Sequence, residues 1–159
     1  MTINNNKLAE MAPFQKTYLW SVSGIGSSDV EMLAETSGIP EISGSNTEVQ
    51  LRGSWTRELG VYKPQNISMT FLETERGQAG KPLHKWLNEH YDPDTGCGDK
   101  SKAQKEIILT LEGCSTSGAG SYTLHRALLE SLGGEQLSSD ASGVFKYNVS
   151  ISCDYVTFK

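Results

Sequence analysis

The chain has little on which chemistry could be built. Its 159 residues include only three histidines and three cysteines. His84 and His90 are six positions apart and do not share a helix face, as zinc ligands at i and i+4 would, and there is no Cys-x-x-Cys pair. No Gly-x-Ser-x-Gly elbow is present. Gly118-Ala-Gly120-Ser lacks the Lys-Ser/Thr that a phosphate loop needs. An odd number of cysteines excludes a complete intrachain disulfide framework. No apolar run approaches the roughly 20 residues of a membrane helix. Met1 to Ala12 lacks the basic start and apolar centre of a signal peptide, so synthesis in a cytoplasm, with reduced thiols, is expected. Basic residues are scattered rather than interleaved with aromatics, which argues against a nucleic-acid platform. These absences point away from an enzyme, a metal or cofactor site, and membrane insertion.

Lysine and arginine are missing altogether from Thr17 to Leu51, where Asp29, Glu31, Glu35, Glu41 and Glu48 lie. The rest of the chain balances, with 14 acidic and 14 basic residues, so this one segment carries the net charge of −5. An acidic patch repels phosphates. It suits a surface past which nucleic acid slides without sticking, or simply a solvated edge.

What is present is alternation. From Phe145, the residues Tyr147, Val149, Ile151, Cys153 and Tyr155 are apolar at every second position, opposite Lys146, Asn148, Ser150, Ser152 and Asp154. That is a strand with one dry and one wet face. Read as a single strand of eleven residues it spans about 37 Å, long enough to reach past a domain edge into a neighbour. Shorter alternations mark strands at Thr17–Ser23, Val30–Thr36, Glu48–Arg52, Asn66–Phe71 and Glu106–Glu112. Ser121–Leu129 reads as strand or helix, and its strand neighbours favour β. Leu83, Trp86, Leu87 and Tyr91 share one helical face, with Pro82 in the first turn and Asp92-Pro93 as the stop. Between Gly53 and Gln65 the pattern breaks up around Trp55, Leu59 and Tyr62, more apolar bulk than a solvated loop needs; such groups either form an interface or fold back on the core. The sum is one mainly β domain, residues 14–159, of seven or so antiparallel strands with one flanking helix, after an Asn-rich arm at 1–13.

This order resembles the tail tube proteins of contractile-tailed bacteriophages and, through them, the haemolysin-coregulated protein of type VI secretion. The resemblance rests on "YLWSVSGIGSSDVEMLAETSGIP", on "ISMTFLETERGQAGKPLHKWLNEHY" with its strand followed by a Trp-bearing helix, and on the closing strands "EIILTLEG…SYTLHR…GVFKYNVSISCDYVTF". It covers about residues 14 to 159. "RALLESLGG" and a long loop around Cys97 depart from the family pattern.

The resemblance implies an antiparallel β-sandwich whose inner sheets join around a six-membered ring into one β-barrel. Rings stack into a tube, a conduit for DNA in a virion tail. The implied partners are further copies, the tail sheath, the baseplate and tail terminator proteins, with DNA passing unbound. Within that frame Glu31, Glu35 and Glu48 are expected at the lumen and Trp55, Leu59 and Tyr62 at ring-to-ring contacts. Phe145, Tyr147, Val149 and Ile151 are expected in a sheet between subunits, and Cys97 and Cys114 in a disulfide between neighbours after release. The tube of a related injection machine, or a monomeric β-sandwich that binds a sugar or peptide through Trp55 and Tyr62, are the alternatives.

Overall fold

A computed structural model describes residues 15–113, 118–139 and 142–159. The elements run β1 (Trp20–Ser23), α1 (Ser28–Met32), β2 (Ala34–Ser37), β3 (Ile42–Gly44), β4 (Thr47–Leu51), β5 (Ser54–Glu58), β6 (Tyr62–Pro64) and β7 (Ile67–Leu72). They continue with α2 (Gly80–His90), α3 (Lys100–Ala103), β8 (Lys105–Leu111), β9 (Gly120–Gly134), β10 (Lys146–Ser152) and β11 (Tyr155–Phe158). The main sheet has the order β1-β8-β9-β10-β7-β2, with β11 also paired to β9. All its pairings are antiparallel. This is the expected mainly β architecture, with α2 as its long helix and two short helices beside it.

The long strand is not the one expected. β9 runs for 15 residues, whereas the C-terminal alternation breaks at Cys153–Asp154 into β10 and β11. Both pieces pair with β9, β10 with its second half and β11 with its first. β9 therefore joins two parts of the fold. Its direction changes at Arg126, which has a left-handed φ of 54°. There β8 spends two residues, Lys105 to Ile107, against three on β9, Leu124 to Ala127. This is a β-bulge, and it shifts the side-chain phase by one. The buried positions Leu124, Ala127 and Leu129 are consequently three apart and then two apart, which is why the segment imitates a helix in sequence. Asp154 stabilises the same corner, its N–H donating to the His125 carbonyl at 3.1 Å and its carboxylate meeting Arg126 at 3.0 Å.

The strand expected at Val30–Thr36 is also revised. Val30 is fully buried and Met32 is 85% exposed, opposite fates for residues that one strand would put on one face. Ser28–Met32 is instead a helical turn, with Glu31 N–H bonded to the Ser27 carbonyl and Leu33 N–H to that of Asp29. Only Ala34–Ser37 is extended, and it pairs with β7.

The core lies between the curved sheet and α2. Ile67, Met69 and Phe71 of β7, Val149 and Ile151 of β10, and Leu83 and Trp86 of α2 are all buried. Trp86 also donates its indole N–H to the Ala103 carbonyl at 2.6 Å, so the largest core side chain leaves no buried donor unpaired. The start of α2 is held by Glu73, whose carboxylate accepts from the N–H groups of Thr74, Ala79 and Gly80 at 2.7, 3.1 and 2.7 Å. An anion there satisfies open helix donors and complements the helix dipole. Gly80 is required by the close approach, since a Cβ would lie 2.5 Å from the Glu73 carboxylate and 2.7 Å from the Tyr147 hydroxyl.

Candidate functional site and assembly surfaces

Residues 42–64 form an arm made of two nested ribbons. β3 pairs with β6 at the root and β4 with β5 beyond it. The turn at the tip is Arg52-Gly53, with φ of 48° and 85°. Positive φ at both central residues is the two-residue hairpin turn whose twist matches its strands. Every residue of β5 is exposed. Apolar groups are nonetheless abundant along the arm: Leu51, Trp55, Leu59, Val61 and Tyr62 are all exposed, Leu59 to 90%. The register sets Leu51, opposite Ser54, and Trp55, opposite Gln50, on opposite faces of the ribbon, so the tip shows apolar bulk on both sides, more than a solvated turn needs.

The expected residues fall at different points of this arm. Trp55 lies on β5 opposite Gln50, and Leu59 lies in the link between the ribbons. Tyr62 begins β6 at the root, its hydroxyl donating to Asn46 Oδ1 at 2.7 Å.

The three acidic residues do not form one patch. Glu31, on α1, accepts the Gly24 N–H at 2.7 Å. Glu35, on β2, pairs with Lys146 at 2.8 Å. The Glu35 carboxylate, followed by its charge, holds the Lys146 ammonium above the usual lysine range. Glu48 lies out on the arm and pairs with Arg57 at 3.0 Å. The segment without cations thus borrows them from later in the chain.

The last strand, expected in a sheet between subunits, lies in the middle of this chain's own sheet. Each residue from Tyr147 to Ile151 is already paired on one side with β7 and on the other with β9. Val149 and Ile151 belong to the core of this same chain. Phe145 precedes β10 and sets its ring edge-on to Tyr147 at 5.0 Å, and Tyr147 meets His84 at 5.9 Å. β10 has no open backbone edge to offer a neighbour. The sheet ends are β1 and β2.

Between those two ends runs a slot. One part, of about 610 Å³, is lined by Tyr18, Trp20, Val22, Glu31, Met32 and Glu35. A second part, of about 240 Å³, shares Trp20 and adds Gln15, Lys16, Ser37, Ile39, Leu109 and Leu111. Gln15 is fixed at its mouth by donating to the carbonyls of Leu19 and Glu112 at 3.0 and 2.7 Å.

Cys97 is exposed in the loop after α2, where its carbonyl accepts from Asp92 N–H at 3.0 Å. Hydrogen bonds from the Asp94 backbone and then the Thr95 hydroxyl hold the Asp92 carboxyl below its usual range. Cys114 and the arm at 1–13 lie outside the described residues. Cys153 is half-buried against the core, as its strand phase implies, and burial pushes its thiol up. Among the described residues no group of three or more His, Cys, Asp and Glu is placed to hold a metal. Sequence reasoning missed α1, the two-ribbon build of the arm, the Glu73 cap and the slot. Of these only the arm had a readable signal, the Arg52-Gly53 turn between two polar-apolar runs.

No protein-family model and no curated protein matches the chain. Solved structures do. A chain of the tube-terminating cap of the anti-feeding prophage is 18% identical, covers 100% of this chain and 99% of that one, and superimposes with a TM-score of 0.73. A chain of the sheath–tube complex of an extracellular contractile injection system is 16% identical, with 99% of both chains covered and a TM-score of 0.67. Hcp1 from Flavobacterium johnsoniae is 9% identical over 89% of this chain and 94% of its own, with a TM-score of 0.55. The chain therefore has the fold shared by the tubes of contractile injection systems and by Hcp proteins, as the sequence resemblance implied.

Proposed function

We propose that this chain is a structural subunit that assembles with copies of itself into six-membered rings, stacked as the inner tube of a contractile tail or injection particle. The arm carries this reading. A body with a closed core displays Leu51, Trp55, Leu59 and Val61 on a ribbon that buries none of them, and the fold is the one found in particles of this kind. Trp55, Leu59 and Tyr62 make the ring-to-ring contacts. The sheet that carries Phe145, Tyr147, Val149 and Ile151 joins that of the next subunit through the open edge of β11, leaving β1 and β2 to flank the slot. Glu31, Glu35 and Glu48 face the lumen, and Cys97 and Cys114 bond between neighbours once particles leave the reducing cytoplasm of the host bacterium. The partners are a sheath protein, a terminator and a baseplate, and the subunit works without catalysis. The cargo is DNA in a phage tail. In a related injection particle it is the load that the particle delivers, a reading favoured by the likeness to injection-system chains.

The test is negative-stain electron microscopy with light scattering on the same sample, repeated with a baseplate seed. Rings or tubes with an open centre support the reading. A persistent monomer under both conditions overturns it in favour of a β-sandwich binding module. In tubes, Glu31→Lys should raise salt-sensitive DNA retention, and unchanged retention removes the lumen assignment. A single monomer band from mature particles on a non-reducing gel removes the disulfide.

A further inference from the structure

The slot between β1 and β2 and the arm tip are two unfilled halves of one contact. β1 and β2 terminate the sheet, so each presents an unpaired backbone edge to the slot. The space is of the size that takes several side chains, and its walls mix polar groups with exposed apolar ones, Tyr18 at 71%, Met32 at 85% and Ile39 at 60%. Glu31 and Glu35 stand in the same wall. Each uses Oε1 in its contact, with Gly24 N–H and Lys146 respectively, and a carboxylate has acceptor capacity beyond one such bond.

The arm tip offers the complement. Leu51 and Trp55 are exposed on either side of the turn. Arg52 at its apex pairs with no carboxylate among the described residues, whereas Arg57 lower down is paired with Glu48. An arm cannot fill its own slot readily, because it is rooted beside it: Ile39, three residues before β3, is part of the slot wall.

We infer that the slot receives the arm tip of an adjacent copy, with Leu51 and Trp55 against Trp20 and Met32 and with Arg52 between Glu31 and Glu35. This rests on the tube reading and deepens it, by naming the surface that the arm engages. Tip and slot are different surfaces, so the contact is heterologous, the kind that propagates into closed rings or open stacks. In this contact Glu31 and Glu35 hold an arginine of the neighbour instead of facing the lumen, so the two assignments exclude each other and the cross-link decides between them. Charge complementarity of this kind fixes register and rejects wrong partners.

Two full-length variants test it, Ser54→Cys and Met32→Cys, each in a background with the three native cysteines replaced by alanine. They are mixed under assembly conditions and treated with a short bis-maleimide, with each variant alone as control. A cross-linked dimer appearing in the mixture well above either control, and falling about tenfold on adding Arg52→Glu to the Ser54→Cys chain, supports the contact. Rings or tubes in the microscope without that band overturn the arm–slot contact and leave the tube reading standing. No band and no rings, with a baseplate seed present, overturn both. A band without rings supports the contact and counts against the tube.

Discussion

The body and the arm are built from the same antiparallel pairing and end with opposite burial. In the body, β10 is flanked by β7 and β9, and Val149 and Ile151 are sealed beneath α2. In the arm, β4 and β5 are a ladder of equal regularity with no residue of β5 covered. A lone two-stranded ribbon is marginal in water, and β4–β5 is continued only by the β3–β6 pair at its root. The body covers its apolar side chains within the chain, and the arm leaves its own for the assembly proposed above.

Two tryptophans make that comparison quantitative. Trp86→Ala removes the largest fully buried side chain and leaves the Ala103 carbonyl without its donor. It should lower unfolding stability by about 3–5 kcal/mol, measured by urea or heat on the isolated subunit. Trp55→Ala, at a 66% exposed site, should change that stability by less than about 0.5 kcal/mol while strongly reducing assembly in light scattering. Equal losses of monomer stability from both would erase the distinction between body and arm.

The helix start gives the next largest effect. Glu73→Ala deprives Thr74, Ala79 and Gly80 of their acceptor, and should cost about 1–2 kcal/mol, seen as a lower unfolding midpoint with assembly retained once folded. A midpoint unchanged by the substitution would mean that water replaces the carboxylate there without loss.

These effects also explain what could be read in advance. The strands 66–71 and 106–112 and the helix near 81–91 were legible because each keeps a period of 2 or 3.6 through its buried residues, whereas of the strand expected at 17–23 only Trp20–Ser23 is extended and Tyr18 is 71% exposed. β9 was not, because the Arg126 bulge mixes two phases and leaves spacings shared with a helix. The C-terminal strand looked longer than it is because Cys153 and Tyr155 keep the alternation through the very residues where the backbone turns out of line. Beyond the break the phase flips, with Val156 rather than Tyr155 packed on the core. For the candidate site, the exposed aromatics of the arm were legible as excess apolar bulk in a polar stretch. The slot was not, since its walls come from β1, α1, β2 and β8, and only the tertiary fold brings them together.

The smallest expected effect separates two lysines on the body by sign. Lys146 is held above the usual range by Glu35, so its contribution to stability is complete below the ordinary lysine pKa and is lost as pH rises through the raised value. Lys105 donates to the Ile25 carbonyl at 2.5 Å and lies over the Trp86 ring at 4.9 Å. Burial pulls its pKa down, with Glu89 opposing in part. Its charged form is the costly one in the folded state, so that cost is relieved as pH rises from the lowered value to the ordinary one. The stability advantage of wild type over Lys146→Gln should therefore shrink toward alkaline pH, while wild type measured against Lys105→Met should improve over the same range. Denaturant midpoints of the three proteins from neutral pH to the alkaline limit of folding decide it. Parallel curves would mean that neither lysine differs between folded and unfolded chain. Opposite slopes would show that β10 is tied to β2 by a charge the fold favours, while β8 carries one it tolerates because of the carbonyl and the indole beside it.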